Sequence, residues 1–345
     1  MGIVTMSDIA AKAGTTIGVV SVTLNGAKSK TLRVSDATRE RVLRAADELG
    51  YRRDRRASAL ATGRNETVGL MLPHVDSFAA PDPFYSLVTA GVAAAAARRG
   101  YNLMLYTAVA EEESERATQT IDRRIDGVIL IIPPDGTPLY DECRRQGVAV
   151  VAVTEAPERA DLTVNSDDYG GARLAMGHLL ELGHRRIAHL HGNLDILSSL
   201  PRVQAYRDAL EEAGLPFDPE LLADGGFSRS VARDSMRRLL DARRPTAVFA
   251  SNDLSAHGAL DALAERGLRT PEDVSVVGYD DTWYASITDP PLTSIRTDVD
   301  GTGRRAADLL LDAIEGTVAE PHPILPVSLT VRRSTGPVPI EGNPQ

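Results

Sequence analysis

The stretch VTMSDIAAKAGTTIGVVSVTLNG, residues 4–26, holds two short apolar-periodic runs separated by a glycine. Ser7 precedes the first run, Ile9, Ala10 and Ala13, which stops at Gly14, a residue free to take positive φ in a tight turn. Thr15 and Thr16 are placed to cap a second helix running to Asn25, with Val19, Val20 and Leu24 on one face. Ala10 is small where two helices would cross, and Val20 fills the angle between them. A third helix is expected from a Ser35 cap, with Asp36 in its first turn, through Val42, Leu43, Ala46 and Leu49 to Gly50. Two short helices joined at a glycine and closed by a third make a helix-turn-helix unit.

Working outward, the charge divides sharply. The whole chain carries a formal charge of −10, yet residues 1–65 hold 3 Lys and 9 Arg against 6 acids, a balance of +6 that leaves −16 for the rest. All three lysines, Lys12, Lys28 and Lys30, lie in this first part. A basic helical head on an acidic body points to nucleic acid as the partner of the head.

After residue 65, β-branched runs alternate with amphipathic ones. Strands are expected at 68–72, 101–106, 127–132, 148–153, 186–190, 246–250 and 274–278, with helices at 84–99, 114–124, 169–182, 202–213, 230–240 and 255–266. This alternation implies βαβ units and parallel sheets covered on both faces. The length exceeds one comfortable core, so two α/β lobes are expected, with a ligand site in the cleft at the carboxyl ends of their strands.

Several classes are excluded or disfavoured. With 345 residues, 43% hydrophobic and 25% charged, the chain is neither disordered nor collagen-like. Its single cysteine, Cys143, permits no intrachain disulfide and fits a reducing, cytoplasmic compartment. Neither a signal peptide nor an apolar run long enough to span a membrane is evident. Gly301 to Ala306, GTGRRA, imitates a dinucleotide fingerprint but lies far from any first βα turn. His189 and His191 alternate on a strand without a third metal ligand, Asp167-Asp168 and Asp280-Asp281 lack calcium-loop spacing, and Cys143 sits in a helix without a base. No metal, no cofactor and no catalytic constellation are expected.

The chain resembles the LacI/GalR (lactose-repressor) family of bacterial transcription regulators over nearly its whole length. Residues 4–26 resemble the family's opening motif, and VSDATRERVLRAADELGY (34–51) its third helix. LGHRRIAHLHG, RPTAVFASNDLSAHGAL, DVSVVGYDD, PPLTSIRTD and ILPVSLTVRRST match its later segments in order. The resemblance implies an α/β fold: an all-α helix-turn-helix head at 1–53, a hinge helix or linker at 54–65, and a two-lobed body of the type I periplasmic-binding-protein kind at 66–335. Lobe 1 is expected at about 66–160 and 296–326, lobe 2 at about 161–295 and 327–335, and a tail at 336–345.

By that resemblance the second helix enters the major groove of operator DNA. Ile17, Gly18 and Val22 occupy base-reading positions, where they offer only apolar contact with thymine methyls. Thr5, Thr16, Ser21 and Asn25 match phosphate-anchoring positions, with capping as the competing role of each hydroxyl. The loop GAKSKTLR (26–33) is longer than is typical and brings Lys28 and Lys30 as further phosphate contacts. RRDRRASALATG (52–63) resembles the hinge that becomes helical on DNA. Leu60 matches its minor-groove leucine, Ala57 the small residue where two hinges pack, and Arg55 belongs to its basic cluster, while Arg53 stands where the family usually has proline. In the body, Arg202, Asn252 and Asp280 match effector contacts whose donors and acceptors suit adjacent hydroxyls of a sugar ring. Phe227 matches the aromatic over a pyranose face, Phe84 a pocket aromatic, and Asp135 and Ser198 more variable contacts.

The function expected is a cytoplasmic, homodimeric, sugar-responsive repressor of a palindromic operator, and not an enzyme. A purine-type regulator, in which ligand strengthens operator binding, is the alternative within the class. A sugar-binding transport receptor is the alternative outside it, and has no use for residues 1–65.

Overall fold

Residues 4–25, 33–51, 63–73, 83–106 and 124–338 are described by the computed structural model, which divides into two units, Met1–Glu66 and Thr67–Gln345. Lys28, Lys30, Arg55, Ala57 and Leu60 lie outside the described residues, as do most of the expected hinge and of the expected helix at 114–124.

The first unit is three helices, α1 (Met6–Ala13), α2 (Ile17–Asn25) and α3 (Asp36–Glu48). Helix α1 starts earlier than a Ser7 boundary would place it, because Thr5 is the cap. The Thr5 hydroxyl accepts from the Asp8 N–H, while the Thr5 N–H and Oγ1 donate to Asp8 Oδ2 at 2.8 and 2.7 Å, a reciprocal capping box. Gly14 ends the helix at φ 62°. Thr16 Oγ1 accepts from the Val19 N–H and Ser35 Oγ from the Thr38 N–H, so both expected caps are in place. Ile9, Ala10, Ala13, Val20, Val42, Ala45 and Ala46 form the core. A Lys12–Glu48 ion pair at 2.7 Å ties α1 to α3.

The second unit contains two six-stranded sheets. The first has the order β11-β5-β4-β3-β1-β2, all parallel, from β1 (Thr67–Met71), β2 (Asn102–Tyr106), β3 (Gly127–Ile131), β4 (Ala149–Val153), β5 (Thr163–Ser166) and β11 (Ile324–Leu325). The second has the order β12-β10-β9-β8-β6-β7, from β6 (Ile187–His191), β7 (Leu222–Asp224), β8 (Ala247–Ala250), β9 (Ser275–Asp280), β10 (Thr293–Arg296) and β12 (Ser328–Thr330). Only the β10–β12 pair is antiparallel. Strands such as GVILI in β3 are buried along their whole length, as a sheet covered on both faces requires.

The described helices of this unit are α4 (Phe84–Arg98), α5 (Leu139–Gln146), α6 (Asp168–Glu181), α7 (Ser199–Glu212), α8 (Arg229–Ala242), α9 (Asp253–Glu265), α10 (Trp283–Ile287) and α11 (Val299–Glu315). Helix α11 returns the chain to the first sheet, where it packs on α4. A Cβ at Gly91 would collide with the Asp300 carbonyl, and one at Gly303 with the Val88 carbonyl, so the two backbones meet at glycine. That contact accounts for the glycine at the centre of GTGRRA without any nucleotide.

One boundary moves. Thr163–Ser166 pairs with β4 and β11 and buries Val164 in the first core, so the first crossover follows Ser166 instead of residue 160. The expected tail also begins later, since the Val338 N–H donates to the Leu182 carbonyl at 3.0 Å and Gly336 O accepts from Ser275 Oγ at 3.2 Å. His189 lies wholly in the second core, stacked on Phe249 at 4.5 Å, with Nδ1 2.9 Å from the Phe249 carbonyl; burial pushes its pKa down to about 3. Cys143 is buried, and burial pushes its thiol up to about 11, which suits packing better than nucleophilic chemistry. Among the described residues no helix is long and apolar enough to cross a membrane, and no group of His, Cys, Asp and Glu could hold a metal ion.

Candidate functional site

Strand ends from both sheets converge on one cavity of about 560 Å³. Ile132 to Asp135 follow β3, Thr154 follows β4, Ser166 ends β5, Asn252 follows β8, Asp280 ends β9 and Thr297 follows β10, so the wall is built from carboxyl ends as parallel sheets dictate. Four lining residues other than glycine, Ile132, Thr154, Phe227 and Asp280, have left-handed backbones with φ of 47°, 61°, 51° and 94°. Such conformations are costly for side chains bearing a Cβ, and their concentration here marks the wall as shaped for something other than stability.

All seven side chains expected around a ligand line this cavity: Phe84, Asp135, Ser198, Arg202, Phe227, Asn252 and Asp280. Arg202, one turn into α7, is buried. Its Nε and Nη2 donate to Asp168 Oδ1 at 3.0 and 2.7 Å, its Nη1 donates to the Ser251 carbonyl, and its guanidinium lies over the Tyr279 ring at 3.6 Å. Burial raises the Asp168 pKa, and the Arg202 charge opposes the rise without cancelling it. Burial alone would lower the Arg202 pKa, but Asp168, Tyr279 and Asp280 together outweigh it and keep the guanidinium protonated.

Asn252 caps α9: its Oδ1 accepts from the Ser255 N–H at 2.8 Å, and its Nδ2 donates to the Phe227 carbonyl at 3.3 Å. Capping and cavity lining are therefore combined in one amide, which also braces the left-handed turn at Phe227. The Phe227 ring lies on the backbone of Gly192, where any Cβ would run into it. Asp280 Oδ1 accepts from Thr297 Oγ1 at 3.5 Å. Ser198 sits buried at the start of α7 without capping it, and Asp135, more exposed, pairs with Arg159 at 3.0 Å.

Two acids escape motif reading. Asp168 offers nothing when tested for calcium-loop spacing; the usable signal is that it opens a helix at the cleft two residues after a strand ends. Asp253, 3% exposed, follows Asn252 and accepts from Ser294 Oγ at 2.6 Å, Thr282 N at 2.7 Å and Thr282 Oγ1 at 2.8 Å. It thereby ties α9 to β10 and to the turn carrying Asp280 and Asp281. Burial raises its pKa to about 7 despite those three donors, with Asp281 adding to the rise.

On the first unit, α2 turns Thr16, Ile17 and Gly18 outward, with Ile17 52% exposed, while Ser21 and Val22 are half-buried beside them. An exposed isoleucine on a helix whose other face builds the core suits contact with a partner. Thr5 and Thr16 serve as caps, so any phosphate contact there would be shared with the helix starts.

Comparison with known proteins agrees with both units. Residues 5–54 match the family "Bacterial regulatory proteins, lacI family", and residues 176–335 match the periplasmic binding protein-like domain. The chain is 39% identical to the HTH-type transcriptional regulator CelR of Thermobifida fusca over 337 residues, covering 96% of this chain and 98% of that protein. A solved complex of a transcriptional regulator CelR with cellobiose superposes with a TM-score of 0.74 at 37% identity, covering 96% and 99% of the two chains. The lac repressor dimer bound to operator and the anti-inducer ONPF superposes with a TM-score of 0.83 at 28% identity, covering 97% and 100%.

Proposed function

The chain belongs to the LacI family of bacterial regulatory proteins, and from that premise we propose that it is a transcriptional repressor released from a palindromic operator by a sugar bound in the body's cavity. The observation that carries the sugar reading is the convergence of seven expected side chains on one cavity at the strand ends. Arg202 supplies a fixed fork of donors, Asp280 an acceptor carboxylate, and Phe227 an aromatic ring held against Gly192, the set of groups that a pyranose with adjacent hydroxyls satisfies. Among the described residues the lining contains no histidine, cysteine or lysine, and we read it as a binding site without catalysis.

For DNA, Ile17, Gly18 and Val22 are assigned to the major groove, and Thr5, Thr16, Ser21 and Asn25 to phosphates. From the sequence alone, Lys28, Lys30 and Arg55 are assigned to the DNA backbone, Leu60 to the minor groove and Ala57 to the packing of two hinges. A head of this size reads only a few base pairs, so a homodimer matched to a twofold operator supplies the missing affinity. The protein acts in the cytoplasm, where that operator lies.

Operator titrations with and without a sugar panel, paired with calorimetry on the same sugars, test the reading. Sugar should bind and lower operator affinity by a coupling of about 1 to 3 kcal/mol. Binding of hypoxanthine or adenosine in place of every sugar, with operator affinity raised, would establish the purine-type alternative.

A further inference from the structure

The charge inside the cavity restricts its ligand further than the shape does. Its described lining holds four carboxylates, Asp135, Asp168, Asp195 and Asp280, against one cation, Arg202. Arg202 is itself neutralised, since two of its nitrogens donate to Asp168, the third donates to the Ser251 carbonyl and the Tyr279 ring covers one face. Nearby Arg159 is likewise engaged, 3.0 Å from Asp135 and 3.8 Å from Glu155.

Helix N-termini are the other common source of positive potential at strand ends; those of α4 and α7 carry no side-chain cap, while three others are answered from within. The Gly170 N–H at the start of α6 donates to Asp167 Oδ1 at 2.8 Å, the Ser255 N–H of α9 to Asn252 Oδ1 at 2.8 Å, and the Gly301 N–H of α11 to Asp298 Oδ1 at 3.1 Å. An anion entering the cavity would therefore meet carboxylates on several sides, and could claim a cation only by breaking the buried Arg202–Asp168 pair. A neutral hydroxyl suffers neither penalty. The guanidinium has five N–H groups, of which three are spent on Asp168 and Ser251, so Arg202 still has hydrogens to donate to an uncharged oxygen while Asp168 keeps it neutralised.

We propose that the cavity selects uncharged polyhydroxylated ligands and rejects their phosphorylated counterparts, with Asp168 as the residue that sets this preference by neutralising Arg202. The proposal rests on the sugar reading above and narrows it to the unphosphorylated class. Asp168 is a positioning residue in this scheme: it acts through the charge and orientation of Arg202, and bears on ligand choice without itself having to touch the ligand.

The test is calorimetry on the full chain with cellobiose and trehalose, their 6-phosphates, adenosine and adenosine 5′-monophosphate. A neutral sugar should bind with an affinity independent of salt, and its 6-phosphate should bind roughly 100-fold more weakly or not at all, as like-charge contact in a closed site requires. D168N releases the Arg202 charge, so it should weaken the neutral sugar and gain at least roughly 10-fold for the 6-phosphate. Thermal unfolding of the variant with and without each sugar reports whether it folds, and the wild-type comparison stands alone if it does not. A 6-phosphate bound as tightly as its parent sugar overturns the proposal and leaves the sugar reading intact. Binding of adenosine in place of all sugars overturns the sugar reading, and the monophosphate then tests the charge preference in the same way. No heat from any of the six overturns both.

Discussion

Replacing Asp253, the buried acid next to Asn252, should change how stability depends on pH, with a sign fixed by its surroundings. In the folded chain Asp253 is pushed from 3.8 to about 7, chiefly by burial. Between those values the folded state holds a proton that the unfolded state has released, so the contribution of Asp253 is fully present below about pH 4, declines as pH rises and is gone above about pH 7. Each pH unit in that window corresponds to about 1.4 kcal/mol, and the full span is on the order of 4 kcal/mol. D253N removes the titration while keeping the shape. It also places an amide nitrogen where Thr282 now donates, so the variant carries a constant penalty for facing donors. The constant and the slope separate experimentally: urea unfolding of the second unit, followed by its own fluorescence, is measured for both proteins from about pH 5 to 8. The wild-type stability minus that of D253N should fall steadily toward pH 7 and then flatten. Two curves that stay parallel across the window would refute the claim that Asp253 carries a proton in the fold.

Other outcomes follow from the same geometry. D280A removes an acceptor at the end of β9, so calorimetry should show sugar binding lost while operator binding measured by fluorescence anisotropy is retained. G192A drives a methyl into the Phe227 ring, which should lower sugar affinity by roughly 10-fold through lost face contact, read as a higher Kd with operator affinity unchanged in the absence of sugar. Operator binding should fall with salt at a log-log slope of about −5 to −9 if two heads neutralise roughly 6 to 10 phosphates, and a slope near zero would remove nucleic acid as the partner. L60A should weaken a bendable palindromic operator far more than nonspecific duplex, because only the specific complex unstacks a base step; equal losses would show that no leucine wedge acts.

Local patterns sufficed for much of this protein. The head follows from short-range chemistry: Gly14 and Gly50 permit left-handed turns, Ser35 and Thr16 cap, and apolar residues such as Ile9 and Ala13, or Val42, Ala45 and Ala46, recur at helical spacing on faces that must be buried. The central strands were equally legible, because runs such as residues 127–131 are apolar without interruption, and the ends of parallel strands are where ligand residues collect. The seven cavity side chains could be named before any fold was seen because the motifs around them resemble those of the family. Where the capping box at Thr5 and Asp8 set the start of α1, the sequence already held the answer, yet Ser7 reads as an equally good cap until the backbone decides between them.

Tertiary structure alone decided the rest. Short strands such as Thr163–Ser166 and Ser328–Thr330 are too brief to show a period, and their sheet is chosen by pairing partners outside the strand itself, β4 and the distant β11 for the first and β10 for the second. Gly91 and Gly303 look like isolated helix glycines until α4 and α11 meet at them. The pairing of Arg202 with Asp168, 34 residues away, and the three donors gathered on Asp253 from two other elements likewise have no local signature. Burial turns those acids from ordinary surface carboxylates into a neutralising partner and a proton carrier, and burial is a property of the whole packed chain that no window of neighbouring residues contains.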